Sequence, residues 1–138
     1  MESSQTLNMT GVTISNVGTG VWMKQGTLTM TRGSIEFKGD YGVKVENGVT
    51  SATLTGTRIT GGGQGTGVLM ESSQTLNMTG VTISNVGTGV WVSRGTLTMT
   101  RGSIEFKGAG NGKGLSIEGT ATATITGTTI RGMDGQGT

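Results

Sequence analysis

The chain has 138 residues, 10 Lys+Arg against 8 Asp+Glu for a net charge of +2, 28 Gly, and no Cys, His or Pro. Without Cys or His there is no disulfide framework, no thiolate chemistry and no Ser-His or Cys-His nucleophile pair. No Lys/Arg cluster is present to neutralise a row of phosphates, and no apolar run approaches the roughly 18 residues of a membrane-spanning helix, so nucleic acid and a transmembrane segment are both unexpected.

Gly is abundant but follows no Gly-X-Y period, which excludes a collagen-like chain. Aromatic residues are only 4%. Thr-rich segments punctuated by Gly favour strands and turns over helices.

The dominant feature is repetition. Residues 1–39 recur at 70–108 with 36 of 39 positions identical, and only Met23-Lys24-Gln25 changes, to Val92-Ser93-Arg94. A shorter rhythm runs inside each long repeat. The pattern Thr-x-x-[Met/Leu/Ile]-Thr-x-x-x-Ile starts near Thr6, Thr27, Ser51, Thr75, Thr96 and Thr122, at spacings of 21, 24, 24, 21 and 26. A period of this size marks a solenoid, in which each unit buries its apolar side against its neighbours. The expected fold is all-β: a right-handed parallel β-helix of about six rungs, each with three short strands. One domain, 1–138, is expected, built from repeats 1–69 and 70–138. Gly63-Gln64-Gly65-Thr66 returns as Gly135-Gln136-Gly137-Thr138, so the chain reads as a piece of a longer solenoid, with end-to-end self-association expected of uncovered rungs.

Strand alternation assigns the faces. In the first rung Leu7 and Met9 point inward, and Thr6, Asn8 and Thr10 outward. After a corner at Gly11, Val12 and Ile14 point inward. After an expected corner at Gly18-Thr19-Gly20, Val21 and Met23 point inward and Trp22 outward. The inward columns continue as Leu7, Leu28, Ala52, Leu76, Leu97, Ala123, then Met9, Met30, Leu54, Met78, Met99, Ile125, and on the second strand Ile14, Ile35, Ile59, Ile83, Ile104, Ile130. At about 4.8 Å per rung the rod spans roughly 29 Å. The Gly-rich stretches 61–67 and 108–114 are expected to be longer loops between second and third strands.

The strings Thr-Leu-Thr-Met-Thr (27–31, 96–100), Thr-Leu-Asn-Met-Thr-Gly-Val-Thr-Ile-Ser (6–15, 75–84), Gly-Val-Lys-Val-Glu-Asn-Gly (42–48) and Ala-Thr-Ile-Thr-Gly-Thr-Thr-Ile (123–130) resemble the β-helical passenger domain of a Gram-negative autotransporter. The resemblance covers all six rungs. It implies secretion or display at the bacterial surface, through an outer-membrane barrel that this sequence does not contain. It further implies an adhesin or a pro-angiogenic virulence factor, with a host cell-surface protein or glycan as partner.

Two surfaces are candidates for contact. The outward column of the third strand reads Trp22, Lys44, Leu69, Trp91, Ser116, and its tryptophans are expected to face solvent. Solvent-facing indoles suit a protein anchor or a sugar face. The competing reading is that each Trp covers a neighbouring side chain, with a cation–π contact from Lys44 to Trp22. The second surface is a flat Thr-x-Thr array centred on Thr27, Thr29, Thr31, Thr96, Thr98 and Thr100. It resembles ice-binding solenoids, but stacked Thr also suits any exposed parallel sheet. Asn8 and Asn77 interrupt it.

Catalysis is not expected. The eight carboxylates are Glu2, Glu36, Asp40, Glu46, Glu71, Glu105, Glu118 and Asp134. Glu36 and Glu105 fall in one column three rungs apart, roughly 14 Å, beyond the about 6.5–9.5 Å of an inverting carboxylate pair. No His offers a general base. A lone Asp134 beside Gly135 is a weak calcium signal, and no cofactor or metal is expected. The alternatives to a binding role are a spacer within a larger surface protein and a polysaccharide-acting enzyme. Glu105 and Arg131 are expected to pair on adjacent rungs, and Arg32 and Arg101 to sit at corners.

Overall fold

The computed structural model describes residues 2–3, 6–107 and 112–132. The expectations for Gly108–Asn111 and for Asp134–Thr138 lie outside them. The molecule is a right-handed parallel β-helix, and every strand pairing among the described residues is parallel.

Chain order sets the coil. Strands Leu7–Thr10, Thr13–Thr31, Ser34–Thr55 and Arg58–Thr60 form the first part. Thr66–Met70, Thr75–Thr79, Thr82–Val86, Thr88–Val92 and Thr96–Thr100 follow, then Ser103–Phe106, Lys113–Ile117, Thr122–Thr126 and Thr129–Gly132. In the first part the strand runs unbroken through corners, over 19 residues in Thr13–Thr31 and 22 in Ser34–Thr55. The later layers show the expected separate short strands.

The register follows the repeat. On the first face Leu7 pairs with Leu28, Leu28 with Ala52, Ala52 with Leu76, Leu76 with Leu97 and Leu97 with Ala123. On the second face Ile14, Ile35, Ile59, Ile83, Ile104 and Ile130 stack in the same way. Like residues therefore sit over like residues through the prism. Leu28, Met30, Ile35, Leu54, Ile59, Met78, Ile83 and Leu97 are fully buried, and each contributes about 1.5–3 kcal/mol relative to exposure. In the last layer Ile117 and Ile130 are 38% and 39% exposed, because no described layer covers them.

Two features differ from the sequence reading. The corner before the third face lies at Asn16 and Asn85, both at φ 58°, and not at Gly18-Thr19-Gly20. Asn visits this left-handed conformation more readily than other non-glycine residues, and Asn85 Nδ2 donates to Gly61 O of the preceding layer at 2.7 Å. Gly20 instead opens a column with Gly42, Gly67, Gly89 and Gly114. A Cβ on Gly42 would lie 2.6 Å from Gly67 O and 2.6 Å from Ile59 Cγ2, so glycine lets the third-face backbone close onto the isoleucine column.

The second feature is Phe37, with its repeat copy Phe106, at 2% and 3% exposure. Phe37 extends the inward set of the second face. A Cβ on Gly42, Gly61 or Gly65 would approach its ring to 3.1 Å. The Gly-rich loop at 61–65 is thus a close packing of backbone onto an aromatic ring.

Candidate functional site on the third face

The third face is built from the tripeptide rhythm Gly-x-x that follows each Asn or Gly-rich corner. The tight glycine column fixes the strand against the core, and alternation turns the next-but-one residue outward. The outward column is Trp22, Lys44, Leu69, Trp91 and Ser116, as the register pairs them in succession. The structure brings Trp22, Lys44, Leu69 and Trp91 into one line on adjacent layers.

The tryptophans are half-buried, not fully solvent-facing. The covering arrangement is what forms around Trp22. Lys44 Nζ lies 5.0 Å and Lys24 Nζ 5.2 Å from the Trp22 ring centroid. Lys44 is also 5.2 Å from the ring of Tyr41. The indole Nε1 of Trp22 donates to Glu46 Oε2 in the next layer. Such ammonium–ring contacts contribute about 0.5–1 kcal/mol each at exposed sites.

Leu69 departs from its expected outward exposure. It is 4% exposed, because its ladder neighbours are the long Lys44 and the indole of Trp91. It contributes apolar filling between them and offers little surface of its own.

Trp91 has the same local sequence as Trp22 but different neighbours. Its ladder partners are Leu69 and Ser116. Ser93 stands where Lys24 covers Trp22, and Ser93 Oγ donates to Met70 O at 3.2 Å. Arg94, replacing Gln25, reaches back two layers to Asn47 Oδ1 at 3.2 Å. The Trp91 indole Nε1 is buried and has no hydrogen-bond partner among the described residues. Beside it is a cavity of about 170 Å³ lined by Thr88, Trp91, Lys113, Ser116 and Glu118. Sequence reading found Trp91 but missed Lys113 and Glu118. The signal was the offset of two residues that relates Lys44 to Glu46, which also relates Ser116 to Glu118.

The first face carries the Thr array in the expected register. Thr27, Ser51, Thr75, Thr96 and Thr122 align, as do Thr29, Thr53, Asn77, Thr98 and Thr124, and Thr31, Thr55, Thr79, Thr100 and Thr126. Thr27, Thr29, Thr31, Thr96, Thr98 and Thr100 are half-buried. Thr27 Oγ1 lies 3.2 Å from Thr50 Oγ1, which engages one hydroxyl within the protein.

Elsewhere the charged groups are dispersed. Among the described residues no group of three or more Asp or Glu could hold a metal ion. Glu36 pairs with Thr60, and Thr60 with Ser84, which separates Glu36 from Glu105 by three layers. Arg131 and Glu105 form the expected surface pair at 3.6 Å. Arg32 and Arg101 occupy corners at φ 52°. Arg32 and the unanticipated Arg58 line a second cavity of about 270 Å³ with Thr13 and Ser34. No helix among the described residues is long and apolar enough to cross a membrane.

Among known families, the model described as a right handed beta helix region matches residues 1–138. No curated protein and no solved structure matches the chain.

Proposed function

This chain belongs to the right-handed β-helix family, and we propose that it is a non-enzymatic scaffold, displayed at or secreted from a bacterial surface, that binds a host cell-surface protein or glycan through its third face. The observation that carries the reading is the alignment of Trp22, Lys44, Leu69 and Trp91 on four successive layers. The outward columns of the first face, by contrast, hold only Thr, Ser and Asn. Both tryptophans of the chain lie on this one third-face stripe, with Lys44 laddered to Trp22, and Trp is among the residues enriched at binding hot spots. The dispersed carboxylates support a binding role over polysaccharide cleavage, since Glu36 and Glu105 stand too far apart to act as a pair.

The test is saturable binding of the purified chain to human endothelial and epithelial cells, alongside the double variant Trp22→Ala/Trp91→Ala. Loss of both indoles is expected to weaken binding at least about 30-fold with circular dichroism unchanged. Equal binding by both proteins contradicts the site. Absence of binding by the wild type assigns the chain a spacer role, and turnover of an acidic polysaccharide contradicts the non-enzymatic reading.

A further inference from the structure

We propose that the cavity beside Trp91 is a subsite for a single saccharide ring, and that Trp22 is a closed counterpart of the same construction. The proposal rests on the reading of the third face as the binding surface, and it says which indole meets the ligand.

The two tryptophans lie in nearly identical stretches, so their surroundings form an internal comparison. Around Trp22 every recognition element is already used. Two ammonium groups stand against the ring, from Lys24 and Lys44. The indole N–H is taken by Glu46. Around Trp91 each of these is changed. Ser93 replaces Lys24 and Ser116 replaces Lys44, so neither ammonium is there to cover the ring. The buried N–H has no partner, although Glu118 occupies the place that Glu46 has beside Trp22. A buried donor without an acceptor costs the full desolvation of that group.

The lining defines the chemistry of the ligand. An indole offers an apolar ring face. Lys113 is a donor, Glu118 is an acceptor, and Thr88 and Ser116 can do either. One aromatic plane ringed by mixed donors and acceptors fits a pyranose, which has an apolar C–H face and hydroxyls around its edge. A purely apolar or purely anionic ligand would leave half of these groups unmet. The volume of about 170 Å³ is below the roughly 300–1,000 Å³ of sites for drug-sized ligands, which limits the subsite to one ring.

The experiment uses the two indole N–H resonances of the ¹⁵N-labelled chain, assigned with Trp22→Phe and Trp91→Phe. The probes are methyl β-galactoside, N-acetylglucosamine, N-acetylneuraminic acid and a heparin-derived disaccharide, each titrated to about 20 mM, above the Kd of order 1 mM expected for a ligand this small. The expected result is a saturable shift of the Trp91 resonance with at least one probe and no shift of Trp22. Glu46→Gln is expected to move the Trp22 resonance in the free protein, whereas Glu118→Gln leaves Trp91 in place. Three results overturn the proposal: no shift with any probe, equal shifts of both indoles, or a Glu118→Gln displacement showing that Glu118 already holds the N–H. If cells bind the chain while no sugar moves Trp91, the subsite fails and the third-face reading stands. If neither occurs, both fail.

Discussion

Gly67 lies directly beneath Ile83: a Cβ at Gly67 would come within 2.6 Å of Ile83 Cγ2 and 2.6 Å of Gly89 O. The same approach recurs along the column from Gly20 to Gly114, and it sets how closely the third face closes on the core. Gly67→Ala must push backbone against backbone, which flexible side chains cannot relieve. Such overpacking costs about 1–3 kcal/mol, and urea denaturation is expected to place Gly67→Ala at the upper end. Gly18→Ala is the control, because nothing lies within 4 Å of its Cβ position. It is expected to be neutral or slightly stabilising, by up to about 1 kcal/mol through the unfolded chain.

Arg101 holds φ 52°, at a corner where other layers carry Gly80 and Gly127 at φ 63°. A side chain in this conformation costs roughly 1–2 kcal/mol, partly offset by the greater freedom glycine has when unfolded. Arg101→Gly is therefore expected to raise stability by about 0.5–1 kcal/mol, read as an upward shift of the denaturation midpoint. A fall would mean that the Arg101 side chain makes a contact that outweighs its backbone strain.

Phe37 fills the space that Gly42, Gly61 and Gly65 leave open. Phe37→Ala is expected to cost about 3–5 kcal/mol. Glu105→Gln breaks only an exposed pair at 3.6 Å and is expected to change stability by less than about 1 kcal/mol, less still at high salt. Comparable losses in the two variants would contradict this division between packing and surface charge.

The three inward columns were legible because strand alternation is local and the repeat supplies the same residue at each layer. Ile14 through Ile130 could be aligned with no knowledge of the coil. The misplaced features depend on contacts between layers. Asn16 and Asn85 turn the chain where the glycine corner is expected, and at Asn85 the left-handed turn is held by an amide bond to Gly61 O in the layer before it. Leu69 carries an outward position yet is buried, because burial there depends on the neighbours above and below it. The difference between Trp22 and Trp91 was hidden for the same reason. Each indole's surroundings come largely from residues 22 to 27 positions further along the chain.

The first face supplies an independent prediction. Its Thr columns are regular, but Asn77 interrupts the central one and Ser51 the first. A third-face binder is expected to show no thermal hysteresis in ice-growth assays and to keep its cell binding in Thr98→Asn. Hysteresis abolished by Thr98→Asn would move the function to the Thr array.

The most direct measurement is cell binding by the single variants Trp22→Ala and Trp91→Ala, with folding checked by circular dichroism. The account predicts that Trp91→Ala weakens saturable binding by about 30-fold or more, the size of a hot-spot loss, while Trp22→Ala changes it only a few-fold. Wild-type binding by Trp91→Ala, with its β-structure intact, would contradict it.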